Sequence, residues 1–308
     1  MKFYQRSQSL KMAERQLKVD LTPSIKKLEI VAKKMSTSQV VGAYRSIFRG
    51  FGLDFSEYRE YTQDDDAEKI DWKASNRSNS LLVRDYEEER NLNIFFIVDV
   101  SENMVFGSTD KLKNEYSAEV AVSLAHVALK AGDKVGFSLF AGQPIKKAAP
   151  SRNKNIFYSF SKELVNPDNY YGNFDLIQVL KFIESYLPKN SLVMLISDFI
   201  GLDPNWATHV KPILARFDLI FLIVRDPRDY SLPEDSFQVV VSDPKTQDQI
   251  IVEPAKIKQA YEDLAKKELE EFKSQISGIG ADYAELRTDQ PFLEPIMILF
   301  KKRKVKWR

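Results

Sequence analysis

The sequence predicts an α/β fold: a mostly parallel sheet with helices on both faces, preceded by an N-terminal helical and irregular extension. Three observations carry this. Apolar runs recur at Asn93–Val98, Leu192–Ile196 and Leu219–Val224, and runs without polar alternation belong to strands covered on both faces. Helical spacing stands between them, as in Leu112, Tyr116, Val120, Leu124 and Val127. Residues 1–91 break the alternation, so the chain divides into an extension over 1–91 and an α/β domain over 92–308.

In the extension, Leu17, Leu21, Ile25, Leu28 and Val31 form one helical stripe. Residues 42–91 are dense in aromatics and charges. Tyr44, Phe48, Phe51, Phe55 and Tyr58 keep helical spacing, but Gly50 and Gly52 interrupt it, which argues against one continuous helix. These rings read as anchors pinning the segment to the core. In the domain, the strand over 93–98 leads to the helix containing Leu112–Val127, then to a strand at Val135–Phe140. Helices follow at about 153–165 and over Leu176–Leu187, then the strand Leu192–Ile196, a helix over 204–215 and the strand Leu219–Val224. Val239–Val241 and Gln249–Val252 are β-rich. A long helix runs from Pro254 to Gly278, with proline at its start and glycine at its end. Tyr283–Leu286 is a last strand and 291–300 a closing helix.

Composition narrows the chemistry. The 308 residues carry 45 Lys and Arg against 44 Asp and Glu, a net charge of +1 that gives no global pull toward nucleic acid or anionic lipid. The absence of cysteine excludes disulfides, thiolate nucleophiles and Cys-ligated metals. With only His126 and His209, histidine triads and multi-His metal sites have no material. His126 falls on the apolar stripe of a core helix and reads as a packing residue. No phosphate-cradling glycine loop and no Gly-x-Ser-x-Gly elbow occurs. The N-terminus lacks the apolar segment of a signal peptide and no run is long enough to span a bilayer, so a cytoplasmic location is expected.

Two strand ends concentrate polar chemistry: Asp99-Val-Ser101-Glu-Asn103-Met104 after the first core strand, and Ser197-Asp198 after a second. Ligands of open parallel sheets bind beyond the carboxyl ends of strands, and carboxylates with a hydroxyl suit a hard cation such as Mg²⁺. The alternative is that these residues cap the following turns.

At this point the sequence resembles a bacterial family called domain of unknown function 58. The matching residues are Gly50-Phe-Gly-Leu-Asp-Phe55, Arg59-Glu-Tyr61, Asp65, Ile70-Asp71-Trp72, Arg77, Leu82-Val-Arg84 and Glu89-Arg90, with Asp99-Val-Ser101 downstream. The core of that family is similar to the von Willebrand factor A domain, a doubly wound, Rossmann-like α/β fold. The resemblance implies a metal-ion-dependent adhesion site. Asp99 and Ser101 match its first loop and Asp198 its third; Asn103 stands where a second serine is expected. Phe174 stands where a threonine is expected, with Asp175 beside it as a substitute donor. Mg²⁺ or Mn²⁺ is the implied cofactor. Where the family shows Gly-Asp-Asp and an arginine before Ile-Asp-Trp, this chain has Asp64-Asp-Asp66 and Glu68.

Arg59, Asp65, Asp71, Trp72, Arg77, Arg84 and Arg90 form a mixed-sign cluster, either an internal ion-pair network or a partner-docking surface. The C-terminal Lys301–Arg308 run reads as a solvated helix end; weak peripheral contact with anionic lipid, with Trp307 at the interface, is the alternative. No specific nucleic-acid binding is expected. The resemblance implies a MoxR-type AAA+ ATPase as partner, which makes the chain a non-enzymatic adaptor in protein assembly or remodelling. The alternative is a Mg²⁺-dependent phosphoesterase with Asp99 as nucleophile, against which stands Ser101, where such enzymes need an acid.

Overall fold

The structure, a computed structural model, describes residues 22–48, 54–62, 65–67, 70–78, 80–87, 92–232, 239–242 and 249–306. Leu17, Leu21, Phe51, Asp64, Glu68, Glu89, Arg90 and Trp307 lie outside the described residues. The extension folds as two helices, α1 (Thr22–Met35) and α2 (Ser38–Phe48), followed by β1 (Asp54–Glu60), α3 (Trp72–Ser78) and β2 (Leu82–Glu87). The helical spacing of Tyr44 to Tyr58 is therefore shared between a helix and a strand. β1 and β2 form an antiparallel pair, to which Ile70 adds a bridge opposite Val83.

The domain begins with β3 (Asn93–Asp99), α4 (Lys113–Ala131), β4 (Lys134–Ala141), β5 (Gln143–Ser151) and α5 (Asn155–Val165). It continues through α6 (Leu176–Tyr186), β6 (Leu192–Ser197), α7 (Trp206–Leu214) and β7 (Asp218–Arg225). The hairpin β8 (Val239–Ser242) and β9 (Gln249–Val252) precedes α8 (Pro254–Gly278), β10 (Asp282–Arg287) and α9 (Leu293–Lys306). The central sheet has the order β10-β7-β6-β3-β4-β5. All its neighbours are parallel except β4 and β5. The chain winds outward from β3 through β4 to β5, then returns to the other side of β3 with β6. The strand order therefore reverses between β3 and β6, where open α/β sheets form their ligand crevice.

β3 shows why the sheet is buried on both faces. Ile94, Phe96 and Val98 point to the layer containing α1, α2, α4, α5 and α9, while Phe95 and Ile97 point to the layer of α6, α7 and α8. Leu28, Ala32, Met35, Val40 and Tyr44 of α1 and α2 belong to the first core cluster. Tyr44 anchors α2 by donating to Asp133 Oδ2 at 2.8 Å, and its ring meets Phe300 edge-on at 6.0 Å. The β1–β2 pair and α3 form in a segment expected to be irregular, and in the domain two elements differ from the sequence expectation. β5 is a strand although its sequence carries no apolar run, and α9 continues past residue 300 to Lys306. Among the described residues, no helix is long and apolar enough to cross a membrane.

Candidate functional site

β3 and β6 are adjacent and parallel, so Asp99 and the Ser197-Asp198 pair leave the sheet side by side. Asp99 is 1% exposed. Its Oδ1 accepts from Ser101 N at 2.8 Å and its Oδ2 from Ser197 Oγ at 2.6 Å. Asp198 Oδ1 accepts from Ile200 N at 3.0 Å, and its Oδ2 accepts from Lys113 Nζ at 2.6 Å. Each of the four oxygens of this carboxylate pair thus has a donor. Burial, then the charge of Asp198, pushes the Asp99 carboxyl above the usual carboxylate range, against the pull of its serine donors.

The backbone after β6 is bent to make this arrangement. Phe199 has φ 51°, in the left-handed region that costs a non-glycine residue about 1–2 kcal/mol. Its amide donates to Ser197 Oγ at 3.0 Å. Its ring packs against Phe221 at 5.4 Å and Phe272 at 5.3 Å, contacts that offset the strain. The segment before α6 is tied to the same place, since Tyr171 N donates to Val100 O and Glu102 N donates to Gly172 O.

The sequence-derived ligand set is brought together only in part. Asp99, Ser101 and Asp198 converge. Asn103 lies half-buried in the 3₁₀ turn Glu102–Met104. Phe174, at the expected threonine position, packs edge-on against Phe199 at 6.0 Å. Asp175 caps α6, accepting from Ile177 N at 2.9 Å and Gln178 N at 3.1 Å.

A divalent cation fits these residues poorly. In its favour is Ser101 Oγ, which is buried without a hydrogen-bond partner. Against it stands the Lys113 ammonium on Asp198. At an effective dielectric near 20, a dication about 4 Å from an ammonium meets roughly 8 kcal/mol of repulsion, which cancels the attraction of one carboxylate at the same distance, and the ammonium already takes Asp198 Oδ2. Among the described residues, no group of three or more His, Asp or Glu side chains is placed to hold a metal.

Sequence reasoning missed Lys113. A signal existed: a lysine in the first turn of a helix opposes the helix dipole and calls for a nearby carboxylate. Asp229 was missed too. It lies in the 3₁₀ turn Pro227–Asp229 after β7, with Oδ2 at 3.5 Å from Lys113 Nζ.

The second candidate cluster is spread through the extension. Arg59 grips Asp65 with both guanidinium nitrogens, at 2.6 and 2.5 Å, and Thr62 N and Oγ1 also donate to Asp65. The Arg59 guanidinium, then the Thr62 donors, hold the Asp65 carboxyl well below the usual range. Asp71 caps α3 through Lys73 N and Ala74 N and accepts from Tyr58 OH at 3.0 Å. These carboxylates work inside the segment. Trp72 is 63% exposed, and Arg77 is exposed as well. Arg84 lies on β2 opposite Tyr58, and Arg90 falls outside the described residues.

Around the buried carboxylates the loops expose apolar side chains among polar ones such as Glu102, Asn173 and Asp203. Val105 and Phe106 after β3, Tyr171 before α6 and Ile200 after β6 are all exposed.

A family model described as "Protein of unknown function DUF58" matches residues 57–271. Uncharacterized proteins of Mycobacterium bovis and Mycobacterium tuberculosis are 23% identical over 290 residues, spanning 92% of this chain and 90% of theirs. Among solved structures, an aerotolerance-related membrane protein from Bacteroides fragilis aligns with TM-score 0.46 at 14% identity, over 70% of this chain and 100% of that one.

Proposed function

The chain belongs to the DUF58 family, and from that premise we propose that it is a non-enzymatic, cytoplasmic protein-interaction adaptor for a MoxR-type AAA+ ATPase, serving the assembly or remodelling of other proteins. One observation carries the reading: four large apolar side chains, Val105, Phe106, Tyr171 and Ile200, stand exposed on the loops at the carboxyl end of the sheet. Beneath them the Asp99 and Asp198 carboxylates are buried and paired, which suits a surface that docks better than a surface that reacts. Apolar and aromatic side chains over a rigid base are what a partner can use as anchors. The ATPase would supply the chemistry and this face the recognition.

The phosphoesterase alternative asks Asp99 to attack phosphorus. Both its oxygens accept hydrogen bonds and it is buried, whereas a nucleophile needs an open approach. A generic phosphate ester in Mg²⁺ should show no turnover, and turnover abolished by Asp99→Asn would restore the enzyme reading.

The adaptor reading is tested by retention of the AAA+ ATPase on the immobilised full-length chain. Phe106→Asp and Ile200→Asp should each weaken retention at least tenfold, about 1.4 kcal/mol. Leu264→Asp, at an exposed apolar position on α8, should leave it unchanged. Equal retention by all three would remove the face from the proposal, and no retention by the wild type would remove the partner.

A further inference from the structure

We propose that Lys113 is the resident cation of this site: its ammonium, rather than a divalent metal, pairs with Asp198 and Asp229 and joins the loops that meet there. The inference stands apart from the adaptor reading, because it concerns how the site is built and not what docks on it.

Lys113 is the first residue of α4, and its side chain is 3% exposed. Nζ reaches Asp198 Oδ2 at the end of β6 and lies 3.5 Å from Asp229 Oδ2 in the turn after β7. The Phe106 ring, 5.6 Å from Nζ, covers it on the loop side. One ammonium therefore ties the start of α4 to the ends of two neighbouring strands. The same loop is held by a second contact, since Lys113 N donates to Phe106 O at 2.7 Å.

The placement goes against two general preferences. A compact ammonium is strongly hydrated and costly to bury, and a cation at a helix N-terminus faces the positive end of the dipole. Carboxylates at this distance offset both costs. Asp99 and Asp198 need no further donor, since Ser101 N, Ser197 Oγ, Ile200 N and Lys113 Nζ serve their four oxygens. A cation that is part of the chain is not removed by chelators. The face above it is then built permanently instead of being switched by divalent ions.

The test uses the full-length protein with Mn²⁺ as probe. Titration followed by the electron paramagnetic resonance signal of free Mn²⁺ should show no saturable site, and the melting temperature should be the same in Mg²⁺, Mn²⁺ and EDTA. A stoichiometric Mn²⁺ site that Asp198→Asn abolishes would overturn the assignment. A second arm compares Lys113→Met, Asp198→Asn and the double variant. Lys113→Met strands the Asp198 and Asp229 carboxylates, whereas the double variant leaves only Asp229, so the double variant should melt above Lys113→Met. Additive losses would overturn the pairing. If Lys113→Met does not accumulate as folded protein, the double variant should still do so. A double variant that fails while Asp198→Asn folds would equally overturn it.

Discussion

A carboxylate inside a protein stays ionised only where donors replace the water it has lost, and Asp226 shows how many that takes. It follows β7 and is fully buried. It accepts from Ser108 N at 2.8 Å, Ser108 Oγ at 2.5 Å, Arg228 N at 2.9 Å and Thr288 Oγ1 at 3.2 Å. Burial raises its pKa, but these donors outweigh burial and hold the carboxyl below its ordinary value. The folded pKa being the lower one, the unfolded chain takes up the proton first on acidification. The stability from Asp226 is thus complete above the unfolded value and is lost as pH falls through the folded one. Urea midpoints measured on acidification should fall less steeply in Asp226→Asn than in the wild type. Near neutral pH that variant should cost about 1–3 kcal/mol, because it exchanges charge-assisted hydrogen bonds for neutral ones. Parallel pH curves would show that another group controls acid unfolding. At this scale the sequence was legible only where two strand ends were recognisable, which placed Asp99 and Asp198 together. The donors were not legible. Lys113, Ser108 and Thr288 reach their carboxylates across the fold, and nothing local marks them except the unfavourable position of Lys113 in its helix.

Elements were legible in proportion to how much of their stability is apolar and local. β3, β6 and β7 are continuous apolar runs and α8 carries its own proline start, so their sequences reveal them. β5, Gln143-Pro-Ile-Lys-Lys-Ala-Ala-Pro-Ser151, is a strand only because β4 pairs with it. Its two prolines and two lysines suit an edge strand that must not recruit another chain. The pairing imposes a demand on β4. At Gly136, where the register shifts between Val135 and Phe137, an added Cβ would lie 2.7 Å from Phe95 Cδ2, 2.8 Å from Pro150 N and 2.9 Å from Ala148 O. Two of these are backbone atoms of β5, which cannot turn aside. Gly136→Ala should therefore destabilise by about 1–3 kcal/mol, read from the shift in denaturant midpoint at constant m-value. A change below the error of the fit would mean that the β4–β5 ladder gives way at low cost. The length of α9 was hidden for a related reason. Lys301 and Lys302 are exposed, as a solvated helix end would be, but Arg303 turns inward and is 2% exposed. It pairs with Asp282 at 2.8 Å and with Asp218, so part of the basic run is structural.

For the molecule as a whole, the composition break near residue 91 is not a break in packing. α1 and α2 lie on α4 and share the core layer that covers one face of the sheet. Leu28, Met35, Val40 and Tyr44 are buried there. At about 1.5–3 kcal/mol for each large apolar side chain removed from water, these four represent roughly 6–12 kcal/mol. That is comparable to the 5–15 kcal/mol by which a whole domain is ordinarily stable. Deleting the two helices would also expose the apolar side of α4 and α9 that they cover. A chain beginning at residue 92 should therefore fail to unfold cooperatively, bind hydrophobic dyes and aggregate, although it keeps every strand of the central sheet. Full-length protein under the same conditions should show one cooperative transition. A truncated chain that melts sharply near the full-length temperature would show that the α/β domain is self-sufficient and that α1 and α2 merely dock on it. The sequence pointed to the anchoring rings, and Tyr44 is one. It did not show that α1 and α2 complete the core, because a stripe such as Ile25, Leu28 and Val31 on α1 specifies an apolar face without specifying what it meets.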